Sequence, residues 1–245
     1  MLAFNPLARI SQPGEDEVRH LLSYVTKLKK EGDLNTAEKL LVEGLKFLNT
    51  FSEINYNSYF RICLARILFE QKKYAESEPV YRQAIIELEA RYGALRSNYK
   101  MLAAGSCNEN SAYLSILSAM NNFALVLYEL GKIDESILLF KEVLQIKQHI
   151  LKPAHPEGIN ESTLRSIDRV VTLLYQNNKY YEAVEYLQSS FNWKRKMFGT
   201  CNKDTLMANN YLCQALRNLG RFEEAEYWFD QGSPNEEIPL FPFRD

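Results

Sequence analysis

The residues of this chain that could do chemistry are few and scattered. Its three histidines are His20, His149 and His155. His149 and His155 could be imagined as a metal pair, but a zinc site needs further protein ligands and none stands near them in the sequence. The acidic pairs Asp134–Glu135 and Glu223–Glu224 could serve as acid and base. Each instead opens a helical stretch, where carboxylates are favoured by the positive end of the helix dipole. Four cysteines, Cys63, Cys107, Cys201 and Cys213, show no C-x-x-C spacing, which reads as reduced thiols in a cytoplasmic protein. Cys213 falls on a small-residue packing position, matching Ala65 and Ala124, and is read as core rather than nucleophile. There is no glycine-rich phosphate loop, no H-E-x-x-H and no G-x-S-x-G. The expectation is no enzyme, no metal site and no cofactor.

Bulk properties narrow the class. In 245 residues, 29 Lys and Arg oppose 31 Asp and Glu, a net charge of −2. That balance predicts no generic affinity for nucleic acid or an anionic membrane surface. No apolar run approaches the roughly 18–20 residues needed to span a bilayer. The start, MLAFNPLARISQP, lacks a basic region followed by an unbroken apolar core and is a poor secretory signal.

The elements that must position any site follow from a repeated phrase. "LYELGKIDESILLFKEVLQI" (Leu127–Ile146) has counterparts at Leu216–Gly232, Leu174–Phe191, Leu68–Ile85 and, more loosely, Leu28–Leu45. Aligned on Gly32, Lys72, Gly131, Asn178 and Gly220, the steps are 40, 59, 47 and 42 residues. A period of this size marks a stacked repeat protein. Met120, Phe123, Ala124 and Leu127 recur at helical spacing before the third turn, and Ile133, Ser136, Ile137 and Phe140 follow it. The fifth unit repeats this with Leu212, Cys213 and Leu216, then Phe222, Ala225 and Phe229. Each unit is therefore an antiparallel helical hairpin. Gly32, Gly131, Asn178 and Gly220 suit a left-handed helix end; Lys72 departs from that pattern.

One hairpin cannot bury both apolar sides, so stacking is required. The expected fold is all-α, a right-handed α-solenoid of about five helix-turn-helix repeats. An N-terminal extension covers 1–18 and the solenoid 19–232, with repeats near 19–50, 58–92, 112–151, 163–199 and 205–232. An insertion at 93–111 lengthens the second step; "LRSNYKMLAAG" reads as an extension of the preceding helix and "GSCNENS" as a polar loop. The tail at 233–245 holds three prolines and apolar Ile238, Leu240, Phe241 and Phe243, and is expected to pack back over Trp228.

These phrases resemble tetratricopeptide repeats, in which a small residue of the first helix meets an aromatic, an alanine and a bulky residue of the second. The matching triplets are Tyr180, Ala183, Leu187 and Phe222, Ala225, Phe229, with Ile133, Ser136, Phe140 a looser copy. The long steps, the "NNFALVLYELGKIDESILLFKEVLQI" wording, and linkers such as "LKPAHPEGINESTL" and "FGTCNKDTL" are similar to the repeats of kinesin light chains. The resemblance spans Leu21 to about Gly232. It implies a protein-binding groove in which asparagines matching Asn121, Asn122 and Asn210 hold a peptide backbone. It also implies ligands that carry an aromatic residue flanked by acids.

On the first helices a second stripe stands beside the packing stripe and is expected to face that groove. It comprises Leu22, Thr26 and Lys29; Ile62, Arg66 and Phe69; Asn121, Leu125 and Tyr128; Arg165, Asp168, Thr172 and Tyr175; and Asn210, Gln214 and Arg217. Amides, Arg and Tyr suit an extended peptide, whose backbone needs donors and acceptors. Lys29, Arg66, Arg165 and Arg217 outnumber the single carboxylate, Asp168, so the expected partner is an acidic protein or peptide segment with an apolar anchor. The rival expectation is a regulatory or adaptor domain of a signalling assembly, binding a folded partner by its convex face or ends. A catalytic reading would need clustered titratable residues, which the sequence lacks.

Overall fold

The computed structural model describes residues 15–48, 56–92, 107–151 and 161–232. Among these residues every regular element is a helix, in five consecutive pairs. They are α1 (Glu15–Glu31) and α2 (Leu34–Leu48), α3 (Asn57–Glu70) and α4 (Tyr74–Tyr92), and α5 (Cys107–Glu129) and α6 (Ile133–Leu151). The last two pairs are α7 (Glu161–Gln176) with α8 (Tyr180–Phe198) and α9 (Lys203–Asn218) with α10 (Phe222–Gly232). Two boundaries differ from expectation. Helix α1 begins at Glu15, inside the expected extension. Helix α5 begins at Cys107, so Cys107–Ser111 form helix rather than a polar loop. "CNENSAYL" holds no Gly or Pro to stop a helix, which is why its polarity does not break one. The remainder of the insertion (93–106), the 152–160 linker with His155, and the tail at 233–245 lie outside the described residues.

All five turns close in the same way. Gly32, Gly131 and Gly220 have φ of 83°, 73° and 72°, and Asn178 has 57°. Lys72, which breaks the sequence pattern, adopts φ 62° all the same. At each turn this residue's N–H donates to the carbonyl three residues back. The next N–H donates to the carbonyl five back, as with Gly131 to Tyr128 (2.9 Å) and Lys132 to Leu127 (2.9 Å). The double bond satisfies carbonyls that a helix end leaves orphaned. Lys72 repeats it to Phe69 and Lys73 to Leu68, both at 2.9 Å.

The chain divides into two compact units, Met1–Leu139 and Phe140–Asp245. In the first, Leu21, Val25 and Leu28 of α1, Leu41 and Leu45 of α2, and Phe60, Leu64 and Leu68 of α3 form one buried cluster. At Gly44 of α2 an added Cβ would lie 2.6 Å from the Phe60 ring, so this helix crossing requires glycine. In the next hairpins a serine takes the close-approach position. Ser77 Oγ donates to the Ala65 carbonyl at 2.7 Å, and Ser136 Oγ to that of Ala124 at 2.6 Å, all four residues being fully buried. Each hydroxyl is therefore satisfied inside the core. Glu78 of α4 accepts from Lys132 (2.8 and 2.9 Å) and from Arg82 (2.9 Å), and Glu38 of α2 from Lys73 (2.7 Å).

In the second unit Val170, Leu174, Ala183, Leu187, Phe191, Leu212, Cys213 and Leu216 are buried. The last hairpin departs from expectation. Ala225 is fully buried, but Phe222 is 63% exposed and Phe229 47% exposed, so the flanking aromatics of that triplet do not enter its core.

Two outcomes follow from the turns and ion pairs. A residue other than Gly held left-handed costs about 1–2 kcal/mol. Nothing lies within 4 Å of a Cβ built at Gly131, so the cost there is conformational alone. Denaturant unfolding should find Lys72→Gly more stable by about 0.5–1 kcal/mol and Gly131→Ala less stable by about 1 kcal/mol. The Lys132 and Arg82 hydrogen bonds hold the Glu78 carboxyl below its ordinary 4.5, and the Lys73 bond does the same for Glu38. Their contribution is present above pH 4.5 and is lost as pH falls through the depressed folded values. Thermal melts should therefore weaken below that pH, and less steeply in Glu78→Gln.

Candidate functional site

In the first unit the expected site residues sit on the last turn of α1, on α3 and on α5. Helices α3 and α5, the first members of successive hairpins, touch each other. Lys29 is not a free cation: its ammonium lies 2.5 Å from the Glu70 carboxylate of α3. Arg66 is exposed and makes no ion pair with any described residue. Asn121 and Asn122 are half-buried on α5. Phe69 packs its ring 5.4 Å from Tyr74 across the turn. Like Tyr128 and Tyr175, it lies three residues before a left-handed residue, so these aromatics close hairpin ends. Burial raises the Tyr74 hydroxyl above its ordinary range, and the Glu129 charge adds to this.

In the second unit α7 and α9 are the corresponding first helices. The Tyr175 hydroxyl donates to Gln214 Oε1 at 3.0 Å, and Gln214 Nε2 reaches Asn210 Oδ1 at 3.4 Å. Three expected site residues thus share one hydrogen-bonded run across two hairpins. The Tyr175 ring also stands edge-on to Tyr180 (5.1 Å) and Tyr211 (5.5 Å). Arg165 and Arg217 are exposed. Asp168 is committed elsewhere. It accepts from Lys194 Nζ at 2.9 and 3.0 Å and from Ser190 Oγ at 2.9 Å, both on α8. Lys194 is only 8% exposed, and its charge on a buried helix face needs that carboxylate. Lys147 of α6 donates to Ser166 at 2.9 Å, and burial lowers its pKa, with Arg165 and Arg169 adding to the shift.

No three His, Cys, Asp or Glu side chains among the described residues gather to hold a metal ion. Cys213 is buried and burial pushes its thiol up to about 11, whereas Cys201 is exposed. No described helix is long and apolar enough to cross a membrane. Sequence reasoning missed two features: the Asp168–Lys194–Ser190 group and the buried Tyr81 beside Asn122. Asp168 and Lys194 lie on different helices with no spacing rule to link them. Tyr81 reads as an ordinary packing aromatic.

The chain carries matches to the tetratricopeptide repeat family at residues 61–94 and 116–157. No curated protein sequence matches it. Among solved structures it is similar to a protein from Podosopora anserina described as a kinesin light chain of nearly identical TPR-like repeats. The TM-score is 0.65 at 18% identity, over 90% of this chain and 95% of that one. A variant of the same protein gives 0.62 at 19% identity, over 88% and 92%. BtubC (BKLC) from P. vanneervenii gives 0.60 at 15% identity, over 94% and 87%. The shared property is the fold, an all-α repeat solenoid.

Removing the Asp168 carboxylate leaves Lys194 buried without its counter-charge. Discounted for the partial exposure of Asp168, Asp168→Ala should cost about 2 kcal/mol of stability. Adding Lys194→Met should recover most of it, as read by urea unfolding of the single and double variants.

Proposed function

From the tetratricopeptide-repeat matches and a fold similar to kinesin-light-chain-like repeat structures, we infer a protein-interaction scaffold of that type that binds an extended acidic peptide segment along its first helices. Scaffolding is the coarse part of this reading and rests on the repeats themselves. The acidic ligand is the finer part, and one observation supports it. On the exposed stripe of first helices, Arg66 and Arg217 carry no ion pair with a described residue, while the stripe's carboxylate, Asp168, is occupied by Lys194. The surface is left with cationic groups beside the half-buried amides of Asn121, Asn122, Asn210 and Gln214.

A ligand carboxylate meeting Arg66, Arg165 or Arg217 gains a charge-assisted hydrogen bond, and the amides offer donors and acceptors to its backbone. Tyr128, Tyr175 and Phe69 add half-buried aromatic surface for one apolar anchor. The reading involves no catalysis and no cofactor, and places the protein in the cytoplasm.

A second reading, docking of a folded partner at one end, has its own support: Phe222, Tyr227 and Phe229 are all exposed on α10.

An exposed charge pair is worth about 0–1 kcal/mol, so affinity should be modest and should fall with added salt. Binding of the peptide GEEWEEG, read by isothermal titration calorimetry, should weaken at least tenfold in Arg66→Glu/Arg165→Glu with helical content unchanged. Undiminished binding of a genuine partner by that variant would move the site to α10.

A further inference from the structure

One register runs through all five hairpins, and the last hairpin leaves three of its positions open. Counted from the left-handed turn residue, the ninth position is Leu41, Tyr81, Phe140 and Leu187 in the first four hairpins, each at most 1% exposed. The hairpin that follows supplies part of that cover. The Tyr81 ring stands 6.2 Å from Phe123 of α5, and Arg169 of α7 sets its guanidinium 5.8 Å over the Phe140 ring. In the fifth hairpin the same position is Phe229, and it is 47% exposed.

The charges beside it keep the register too. The sixth position is Glu38, Glu78 and Glu226 in the first, second and fifth hairpins, and Ile137 and Val184 in the others. Glu38 accepts from Lys73 at 2.7 Å, and Glu78 from Lys132 at 2.8 and 2.9 Å. Each of these lysines directly follows the turn residue of the next hairpin. The tenth position holds Arg82 and Lys141 in the second and third hairpins; they pair with Glu135 and Glu182, at the fourth position of the hairpin that follows. In the last hairpin the tenth position is Asp230. Glu226 and Asp230 are exposed and make no ion pair with a described residue. Residues three and four apart share a helix face, so Glu226, Phe229 and Asp230 form one patch. Phe222, one turn before Glu226 and 63% exposed, extends its apolar edge.

We propose that this patch of α10 docks a cationic amphipathic helix of another protein, in the place that a following hairpin takes at the earlier junctions. An apolar side chain of that helix covers Phe229, and lysine or arginine groups beside it meet Glu226 and Asp230. Charge selects this occupant over two others. A second copy stacked head to tail brings Asp33 after its first turn, where Lys73 and Lys132 stand at the earlier junctions. Two α10 patches facing each other oppose carboxylate to carboxylate. The segment at 233–245 carries Glu236, Glu237 and Asp245 against Arg244, so it also brings net negative charge. The site rests on the end-docking reading above and gives its partner a chemistry; it does not depend on the groove.

The probe is the helical peptide KLAKKLLKALAKKL, with QLAQQLLQALAQQL as its neutral counterpart, each titrated by calorimetry into the full chain at fixed salt. Wild type should bind the cationic peptide at least tenfold more tightly than the neutral one. Glu226→Lys/Asp230→Lys should abolish that preference, and Phe229→Ala should weaken both peptides several-fold. All three residues are exposed, so Tm should hold in every variant. A preference that survives the double charge reversal would overturn the site. Equal binding of the two peptides by wild type, weakened by Phe229→Ala, would overturn the cationic partner and leave end-docking standing. If wild type binds neither peptide, the end-docking reading fails as well. Tighter binding in Leu240→Ser/Phe241→Ser would give the patch to the segment at 233–245. A dimer in sedimentation that Phe229→Ala dissolves would give it to a second copy. Either of those results also overturns the proposal.

Discussion

Everything in this chain depends on one backbone conformation, taken five times. A left-handed residue ends each first helix, and the two hydrogen bonds around it turn the chain back within about three residues. Because all five closures use the same bonds, the second helix always starts at the same place relative to the first. In two of the five hairpins a serine five positions after the turn bonds to the alanine seven positions before it, Ser77 with Ala65 and Ser136 with Ala124; Ala225 and Cys213, at the same positions of the last hairpin, are both buried, while Val25 and Val171 hold the earlier position in the other two. That crossing sets the spacing of the pair, and the spacing determines which first-helix side chains remain outside the core. Arg66, Asn121 and Asn210 are presented by this arrangement rather than by any local motif.

The same constraint explains how serine can replace alanine at the crossing. A hydroxyl in so tight a contact has no water to bond. It is tolerated because the opposing helix offers a carbonyl at 2.6–2.7 Å. In the second unit the buried Ser190 and Lys194 are satisfied in a comparable way, by the half-exposed Asp168 carboxylate. The fully buried hydroxyls of Tyr81 and Thr205 are exceptions among the described residues.

The hairpins, their order and most turn positions were legible in the sequence, because glycine and helical periodicity report directly on backbone conformation and on the buried face. At Lys72 the turn itself was legible from the repeat alignment but its left-handed conformation was not, since a lysine can be forced left-handed when the flanking helices fix the turn. The start of α5 at Cys107 was hidden by side chains that favour loops but do not forbid helix. The candidate site was legible only as a set of exposed residue types. Pairing across helices decides which of them are available, and sequence spacing does not reveal it: Lys29 meets Glu70, Asp168 meets Lys194, and Tyr175 meets Gln214. Phe222 and Phe229 read as core by position, yet they stand exposed on a final helix with no further hairpin among the described residues to cover it.

The central claim is that the first-helix stripe, not the second helices or α10, receives the ligand. NMR titration of the isotopically labelled protein with GEEWEEG tests it most directly, because backbone and side-chain amides report residue by residue. The account predicts saturable shifts at Arg66, Asn121, Asn122, Arg165, Asn210, Gln214 and Arg217, with second-helix resonances such as Leu138 and Tyr181 unmoved. Shifts confined to Phe222, Tyr227 and Phe229, or to the exposed faces of α4, α6 and α8, would contradict it.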